Sequence, residues 1–374
     1  MGSQNQGSLW SLMEKNVAIT APRQEEFEIT LLGPGYGESL LMHVGGGNWI
    51  IVDSCIDSAG HSRALKYLDS ISVNPYNAVK LIVATHWHDD HIRGMTELVE
   101  VCSSARFCCA ATLCTQEFLA AIDALERRHL SISGSGVREI HNVFSQLETR
   151  ASRPMFALAN RLIHNQDNCE IWSLSPDDVA YQSFLMSLGN LFPGEGKGKN
   201  RIQAVSPNDN AVVLMVKADD IVLLLGSDLE KHGWVRILAS QERPTGKASV
   251  FKLPHHGSKN AHVPNVWEKL LEPDPLAVLT PWRRGGGMLP TKQDVRRILL
   301  KTENAYITAK HASLAQSSTR RHKTISRTIR ESSIRLRQHV MSSGAIRLRR
   351  TINSRTPWKV ETFDSACNLI ELAA

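Results

Sequence analysis

The sequence predicts an α/β protein. Apolar, strand-like runs alternate with helix-like segments, polar clusters follow directly on several of those runs, and 374 residues suffice for one large α/β domain or two smaller ones. Proteins of this class build their sites at strand ends, so the polar clusters are the first places to look for chemistry.

Residues 27–53, FEITLLGPGYGESLLMHVGGGNWIIVD, read as short strands broken by glycine-rich turns. HSRALKYLDSI (61–71) has a helical pattern. AVKLIVATHWHDDH (78–91) is a buried strand running into a loop, because the apolar block LIVA stops abruptly at polar residues. MTELVEVC (95–102) begins a helix. Residues 115–165 read as mostly helical, interrupted by SISGSG, and CEIWSLSP (169–176) reads as a strand. LFPGEGKGKN (191–200) is a loop. NAVVLMVKADDIVLLLGSD (210–228) forms two strands around a turn at Ala218–Asp220. ASVFKLPHHGS (248–258) and LAVLTPW (276–282) are further strands, the second followed by the loop RRGGGMLP. TKQDVRRILLKT (291–302) is a helix, NAYITA (304–309) a strand, and GAIRLRRTINSRTPWKVETF (344–363) a terminal hairpin.

Composition narrows the class. With 42% hydrophobic and 21% charged residues the chain is an ordinary globular one, and no apolar run approaches bilayer-spanning length, so no membrane partner is expected. The opening residues lack the basic, apolar and small-residue blocks of a leader, which predicts a cytoplasmic protein. Seven irregularly spaced cysteines argue against a disulfide framework and for reduced, mostly buried thiols. The net charge of +6 is uneven: from Lys301 onward 14 Lys and Arg face five Asp and Glu, whereas the first 300 residues hold 29 against 32. A basic section of this kind can attract phosphate backbones, and it can equally be a solvated helix face plus a hairpin.

The densest signal is THWHDDHIRG, in which residues 86–91 hold three histidines and two aspartates. On a loop leaving a strand, His86 and His88 can point the same way while Asp90 and His91 turn toward a second centre. Imidazole and carboxylate together suit zinc, manganese or iron. Two distant segments add to this. Asp228 ends the apolar run IVLLLGSD; alone it would read as a turn former or helix cap. His255 and His256 end FKLPHHGS; alone either would read as a loop histidine.

Strand–HxHxDH, strand–D and strand–HHGS, in that order, resemble the metallo-β-lactamase-fold hydrolase superfamily. The resemblance runs from about residue 27 to at least 310 and implies an αββα sandwich, two mixed sheets packed together with helices outside and the metal centre at one edge. It implies an N-terminal extension (1–26), a hydrolase domain (27–310) with a helical insert at about 115–200, and a basic C-terminal helix and hairpin (311–374) packed on the same domain. Asp53 matches the superfamily's first, structural aspartate. GYGES, NDNAVVLMV, LLLGSDLE and LPHHGS look most like the hydrolase domain of the bacterial DNA-uptake competence channel and its free-standing relatives.

Carried over by the resemblance, one metal takes His86 and His88, the other takes Asp90, His91 and a histidine of the HHGS pair, and Asp228 bridges both. Matching the GT of other branches to GS favours His255 as the ligand. His256 would then face the substrate or orient a ligand, and the swapped assignment stays open. Many members carry a further histidine roughly twenty residues before the bridging aspartate. Here that stretch reads AVSPNDNAVVL, with Asn208, Asp209 and Asn210 near the place. The first site is then weaker, or takes Asn or Asp; His164, further upstream, reads as a loop residue.

The expected chemistry is hydrolysis. A metal-bound water deprotonates near neutral pH, and a one- or two-metal site of Zn²⁺, or Mn²⁺, holds the resulting hydroxide and neutralises a substrate oxygen. Asp90 and Asp228 would orient the nucleophile, and His256 could donate to the leaving oxygen. The resemblance points to phosphodiesters, hence to a nuclease or phosphodiesterase in bacterial defence or DNA processing, with DNA or RNA as partner and a protein partner in a multi-gene system as a further option. Arg283 and Arg284, in a glycine-rich loop, could reach a phosphate, and Asn208 and Asn210 are further candidates for substrate contact. Other classes consistent with these residues are a hydrolase of small esters, lactams or phospholipid head groups, and a partner-activated effector subunit.

Overall fold

The computed structural model describes residues 20–34, 37–114, 135–166, 168–189, 207–284, 287–310 and 343–373. The strands of the first half are β1 (Glu26–Gly33), β2 (Ser39–His43), β3 (Trp49–Val52), β4 (Val79–Ala84), β5 (Arg106–Ala110) and β6 (Met155–Ala157). The second half supplies β7 (Arg161–Gln166), β8 (Cys169–Ser173), β9 (Leu214–Ala218), β10 (Ile221–Leu225), β11 (Ala248–Lys252) and β12 (Leu271–Leu279). A small pair, β13 (Trp282–Arg284) and β14 (Gly287–Leu289), precedes β15 (Ala305–Ile307), β16 (Gly344–Thr351), β17 (Lys359–Asp364) and β18 (Cys367–Asn368). One eight-stranded sheet has the order β17-β16-β1-β2-β3-β4-β5-β6 and the other β18-β15-β12-β11-β10-β9-β8-β7. Both are mixed: β3 to β6 run parallel, as do β10, β11, β12 and β15, while the remaining neighbours are antiparallel.

The strands read as near-continuous apolar runs because each sheet is covered on both faces. The central core joins Ile29, Leu41, Ile51 and Val83 of the first sheet to Ile171, Val216, Leu223 and Val250 of the second. Helices α1 (Arg63–Ser70), α2 (Met95–Val101) and α3 (Ser135–Thr149) contribute Leu68, Leu98 and Val143 to the same cluster. Beyond α4 (Asp178–Gly189), the helices α5 (Lys231–Ala239), α6 (Pro264–Lys269) and α7 (Lys292–Leu299) bury Trp234, Trp267 and Ile298 on the outer face of the second sheet. The Phe251 ring of β11 meets Trp234 and Trp267 edge to face, at 6.0 and 5.5 Å, which anchors the strand that carries the HHGS loop.

Several expectations change. Met155–Ala157 and Arg161–Gln166 are strands, not helix, because they pair with β5 and β8; strand pairing overrides a local helical pattern. His164 therefore lies buried on β7 beside Arg106 (Nδ1···Nη2, 3.0 Å) rather than in a loop. Within RRGGGMLP the described residues on either side of Gly285 and Gly286 belong to β13 and β14, which pair antiparallel. The terminal hairpin β16–β17 forms, but β16 pairs along its whole length with β1, inside the first sheet. Its arginines are consequently neither a solvated face nor a track for phosphates: Arg347 and Arg349 are buried, donating to Glu361 (2.8 Å) and Glu28 (2.6 Å). The basic stretch 311–342 and most of the 115–200 insert's ends lie outside the described residues. Cys55, Cys102, Cys108, Cys109, Cys169 and Cys367 are buried, and among the described residues no helix is long and apolar enough to cross a membrane.

Candidate metal centre

The C-terminal ends of β3, β4, β10 and β11 bring four segments to one edge of the sandwich, and the loop before β2 closes the group. β3 leads into Asp53, β4 into Thr85 and His86, β10 through Gly226 into Ser227 and Asp228, and β11 into the PHHG turn. Asp53, Ser227, His255 and His256 all have positive φ (60°, 45°, 46° and 53°), a conformation costly for residues with a side chain and concentrated at functional sites. Gly37 permits the closure: with φ of +126°, a Cβ on it would lie 2.1 Å from the carbonyl oxygen of Asp90. Next to it, Glu38 N donates to that same carbonyl at 2.8 Å.

Two donor sets converge. Asp90, His91, Asp228 and His256 offer ligand atoms within 4.8 Å of one another, and so do His86, His88 and Asp228. Asp228 belongs to both. Its Oδ1 is 3.5 Å from His91 Nε2, and its Oδ2 is 3.7 Å from His256 Nε2 and 4.0 Å from His86 Nε2. His86 Nε2 and His88 Nδ1 face each other at 3.1 Å.

Each of three imidazoles has its other nitrogen tied down. His256 Nδ1 lies 3.0 Å from the Thr280 carbonyl, which can only accept, so Nδ1 carries a proton and Nε2 is the nitrogen turned to the carboxylates. His91 Nδ1 meets Asp53 Oδ2 at 2.7 Å, and His86 Nδ1 meets Thr85 Oγ1 at 3.0 Å. Carboxylates and carbonyls that fix the tautomer behind a ligand are the usual support of a metal-binding histidine.

The electrostatics fit a cation. Glu38, Asp53, Asp90 and Asp228 are four buried carboxylates against the single ammonium of Lys252, which pairs with Glu38 and donates to the Ser227 carbonyl at 3.2 Å. Burial pushes His91 and His256 toward their neutral forms. The surrounding carboxylates, Asp228 foremost, outweigh it and raise both pKa values, His91's well above the ordinary one. Burial likewise opposes the charge on Asp228 and Asp90, yet the neighbouring imidazoles hold both below the usual carboxylate range. His86 is pushed well down by burial and then by His91. Without a cation, protons on His91 and His256 are the available counter-charges. A divalent ion can take that place, and His91 Nε2 and Asp228 Oδ1, buried without a hydrogen-bond partner among the described residues, are donor atoms suited to receive it.

Of the HHGS pair, the ring brought to Asp90 and Asp228 is that of His256, not of His255 as motif matching favoured. Two successive left-handed residues reverse the chain, so His256 turns inward, 1% exposed, with its Nε2 3.2 Å from Asp90 Oδ2. His255 turns outward, its Nδ1 3.4 Å from Glu230 Oε1. The capping box of α7 steadies this loop: Asp294 caps through Thr291 and also accepts from Arg297, whose Nη2 donates to the Gly257 carbonyl at 2.6 Å.

Asn208 and Asn210 lie buried on the turn Pro207–Asn210, next to this edge, and the Oδ1 of each lacks a hydrogen-bond partner among the described residues; such an orphan costs about 1–3 kcal/mol. Arg283 is exposed on β13, adjacent to Trp282, whose ring stacks on His256 at 5.7 Å and 21°; Arg284 ends the same strand. Sequence reading missed Glu38 and Lys252. A glutamate in a turn and a lysine at a strand end are common, and only their mutual burial marks them.

Residues 32–153 match the family model described as the metallo-beta-lactamase superfamily. The two mixed sheets with outer helices have the architecture of that fold. No curated protein gives a significant match. Among solved structures, a mutant metallo-beta-lactamase from Cronobacter sakazakii is 13% identical over 60% of this chain and 75% of its own, with a TM-score of 0.31. Zn²⁺-bound PqqB from Methylobacterium extorquens is 13% identical over 57% of this chain and 58% of its own, with a TM-score of 0.30. The short form of human tRNase Z is 10% identical over 60% and 76%, with a TM-score of 0.33.

Proposed function

We propose that the protein is a metal-dependent hydrolase that cleaves phosphodiester bonds in nucleic acid, akin to the hydrolase domain of the competence channel. The observation that carries this reading is the pair of donor sets joined through Asp228. Bound divalent ions would supply an ionised water at neutral pH and charge neutralisation at a phosphoryl oxygen. The chain's own part is placement. His86, His88 and Asp228 would hold one ion, and Asp90, His91, Asp228 and His256 the other. Asp53, Thr85 and the Thr280 carbonyl orient the imidazoles, and Lys252 offsets the charge of Glu38. His255, held outward beside Glu230, sits where a substrate oxygen could meet it. For the substrate class, support comes from the resemblance of GYGES, NDNAVVLMV, LLLGSDLE and LPHHGS to the competence-channel hydrolase, which implies a phosphodiester.

The test is hydrolysis of bis-p-nitrophenyl phosphate and of single- and double-stranded DNA and RNA with added Mn²⁺ or Zn²⁺. Asp90→Ala should lower turnover by more than about 100-fold while leaving the fold intact, and polymer cleavage should fall with salt far more steeply than cleavage of the small diester. Undiminished activity in Asp90→Ala would refute the site. Hydrolysis of small esters or lactams with no phosphodiester turned over would refute the substrate class.

A further inference from the structure

The two halves of the centre are unequal. The Asp90 set has four donors from His, Asp and Asp228; the His86 set has three. The turn Pro207–Asn210 borders the poorer half. Two residues past it, Val212 N donates to the Thr85 carbonyl at 3.1 Å, beside His86. Asn208 Nδ2 donates to Glu230 Oε1 at 3.3 Å, two residues past Asp228. Ser175 Oγ donates to the Ala211 carbonyl at 2.6 Å, which fixes the turn from behind. The turn is thus pinned between the segment that carries His86 and the segment that carries Asp228. It holds two carboxamide oxygens, 3% and 2% exposed by residue, with no hydrogen-bond partner among the described residues. A carboxamide oxygen is a competent ligand for a hard divalent cation, and sealing two of them in without partners is otherwise unfavourable.

We propose that the carboxamide oxygens of Asn208 and Asn210 complete the coordination of the ion held by His86, His88 and Asp228. This rests on the metal-hydrolase reading above and extends it. The oxygen-rich half then takes Mn²⁺ more readily than a three-histidine set would, because carbonyl and carboxylate donors suit Mn²⁺ and imidazole suits Zn²⁺.

The experiment reads binding, not turnover. Metal-free protein is titrated with Mn²⁺ and free Mn²⁺ is counted by electron paramagnetic resonance, for wild type, Asn208→Ala/Asn210→Ala, Asn208→Asp/Asn210→Asp, His88→Ala and His256→Ala. Wild type should bind two ions. The double alanine variant should weaken, by at least about 10-fold, the same ion that His88→Ala loses, and keep the ion that His256→Ala loses. The double aspartate variant, which retains an oxygen donor at each place, should bind both. Two ions bound by the alanine variant with wild-type affinity would overturn the proposal, and so would a wild type that binds one ion insensitive to His88→Ala. Should the alanine variant fail to fold, weaker binding by the aspartate variant than by wild type overturns it. A wild type that binds neither Mn²⁺ nor Zn²⁺ would refute the metal reading itself, whereas binding without phosphodiester cleavage would refute only the substrate class.

Discussion

His91 Nδ1 lies 2.7 Å from Asp53 Oδ2, a contact buried at both ends. The same carboxylate oxygen accepts from Thr85 Oγ1 at 2.8 Å, and that hydroxyl meets His86 Nδ1 at 3.0 Å. One oxygen therefore orients imidazoles of both halves of the centre. Asp53 Oδ1 accepts from Thr85 N at 2.8 Å, which ties the carboxylate to the end of β4.

Replacing Asp53 by Ala is expected to weaken divalent-ion binding by about 10–100-fold, the usual effect of removing the group behind a ligating histidine. It also leaves the buried Thr85 N–H without its acceptor, at about 1–3 kcal/mol of stability. Calorimetric titration of the ion and denaturant unfolding check the two effects separately. Wild-type affinity in a destabilised variant would assign Asp53 a purely structural role.

The outward turn of His255 and the inward turn of His256 make opposite forecasts for two neighbouring residues. His256→Ala should lose one ion per chain and His255→Ala none, as counted by mass spectrometry of the folded protein. Retention of both ions in His256→Ala would restore the assignment that motif matching favoured.

Glu38 and Lys252 form an ion pair in which both side chains are 4% exposed. Removing one charge from a buried pair strands the other, at about 3–5 kcal/mol, whereas removing both costs much less. Lys252→Met should accordingly lower stability by that order. Glu38→Gln/Lys252→Met should recover a large part of the loss in urea unfolding. A double variant as unstable as the single one would show that Lys252 acts through the Ser227 carbonyl instead.

His262 has its pKa pulled down to about 4, by burial first and then by Arg297, Lys301 and Lys231. The folded state therefore resists protonation that the unfolded chain accepts near 6.5. Stability contributed by neutral His262 is full above that value, declines as the pH falls toward 4, and is lost below it. His262→Gln should flatten the part of the melting-temperature profile between pH 6.5 and 4 that this residue causes. Parallel profiles for the two proteins would contradict the shift.

The sequence alone determined the kinds of donors and their places in the chain: His86, His88, Asp90, His91 and Asp228 each follow an apolar run, and an apolar run that stops on polar residues can be read from local pattern. The alternation of strands and helices was legible for the same reason. What depends on partners far away in the chain was not. Met155–Ala157 and Arg161–Gln166 became strands because β5 and β8 offered pairing, and Arg347 and Arg349 became buried because β16 entered beside β1, where Glu28 and Glu361 wait. Glu38 and Lys252, 214 positions apart in number, gained meaning only when burial forced their charges together. The choice between His255 and His256 turned on the sign of φ at two residues, which spacing does not encode. Pattern reports which face of an element is apolar; only the tertiary structure decides which side chains share the water-free space behind it, and there electrostatics is strong enough to define a site.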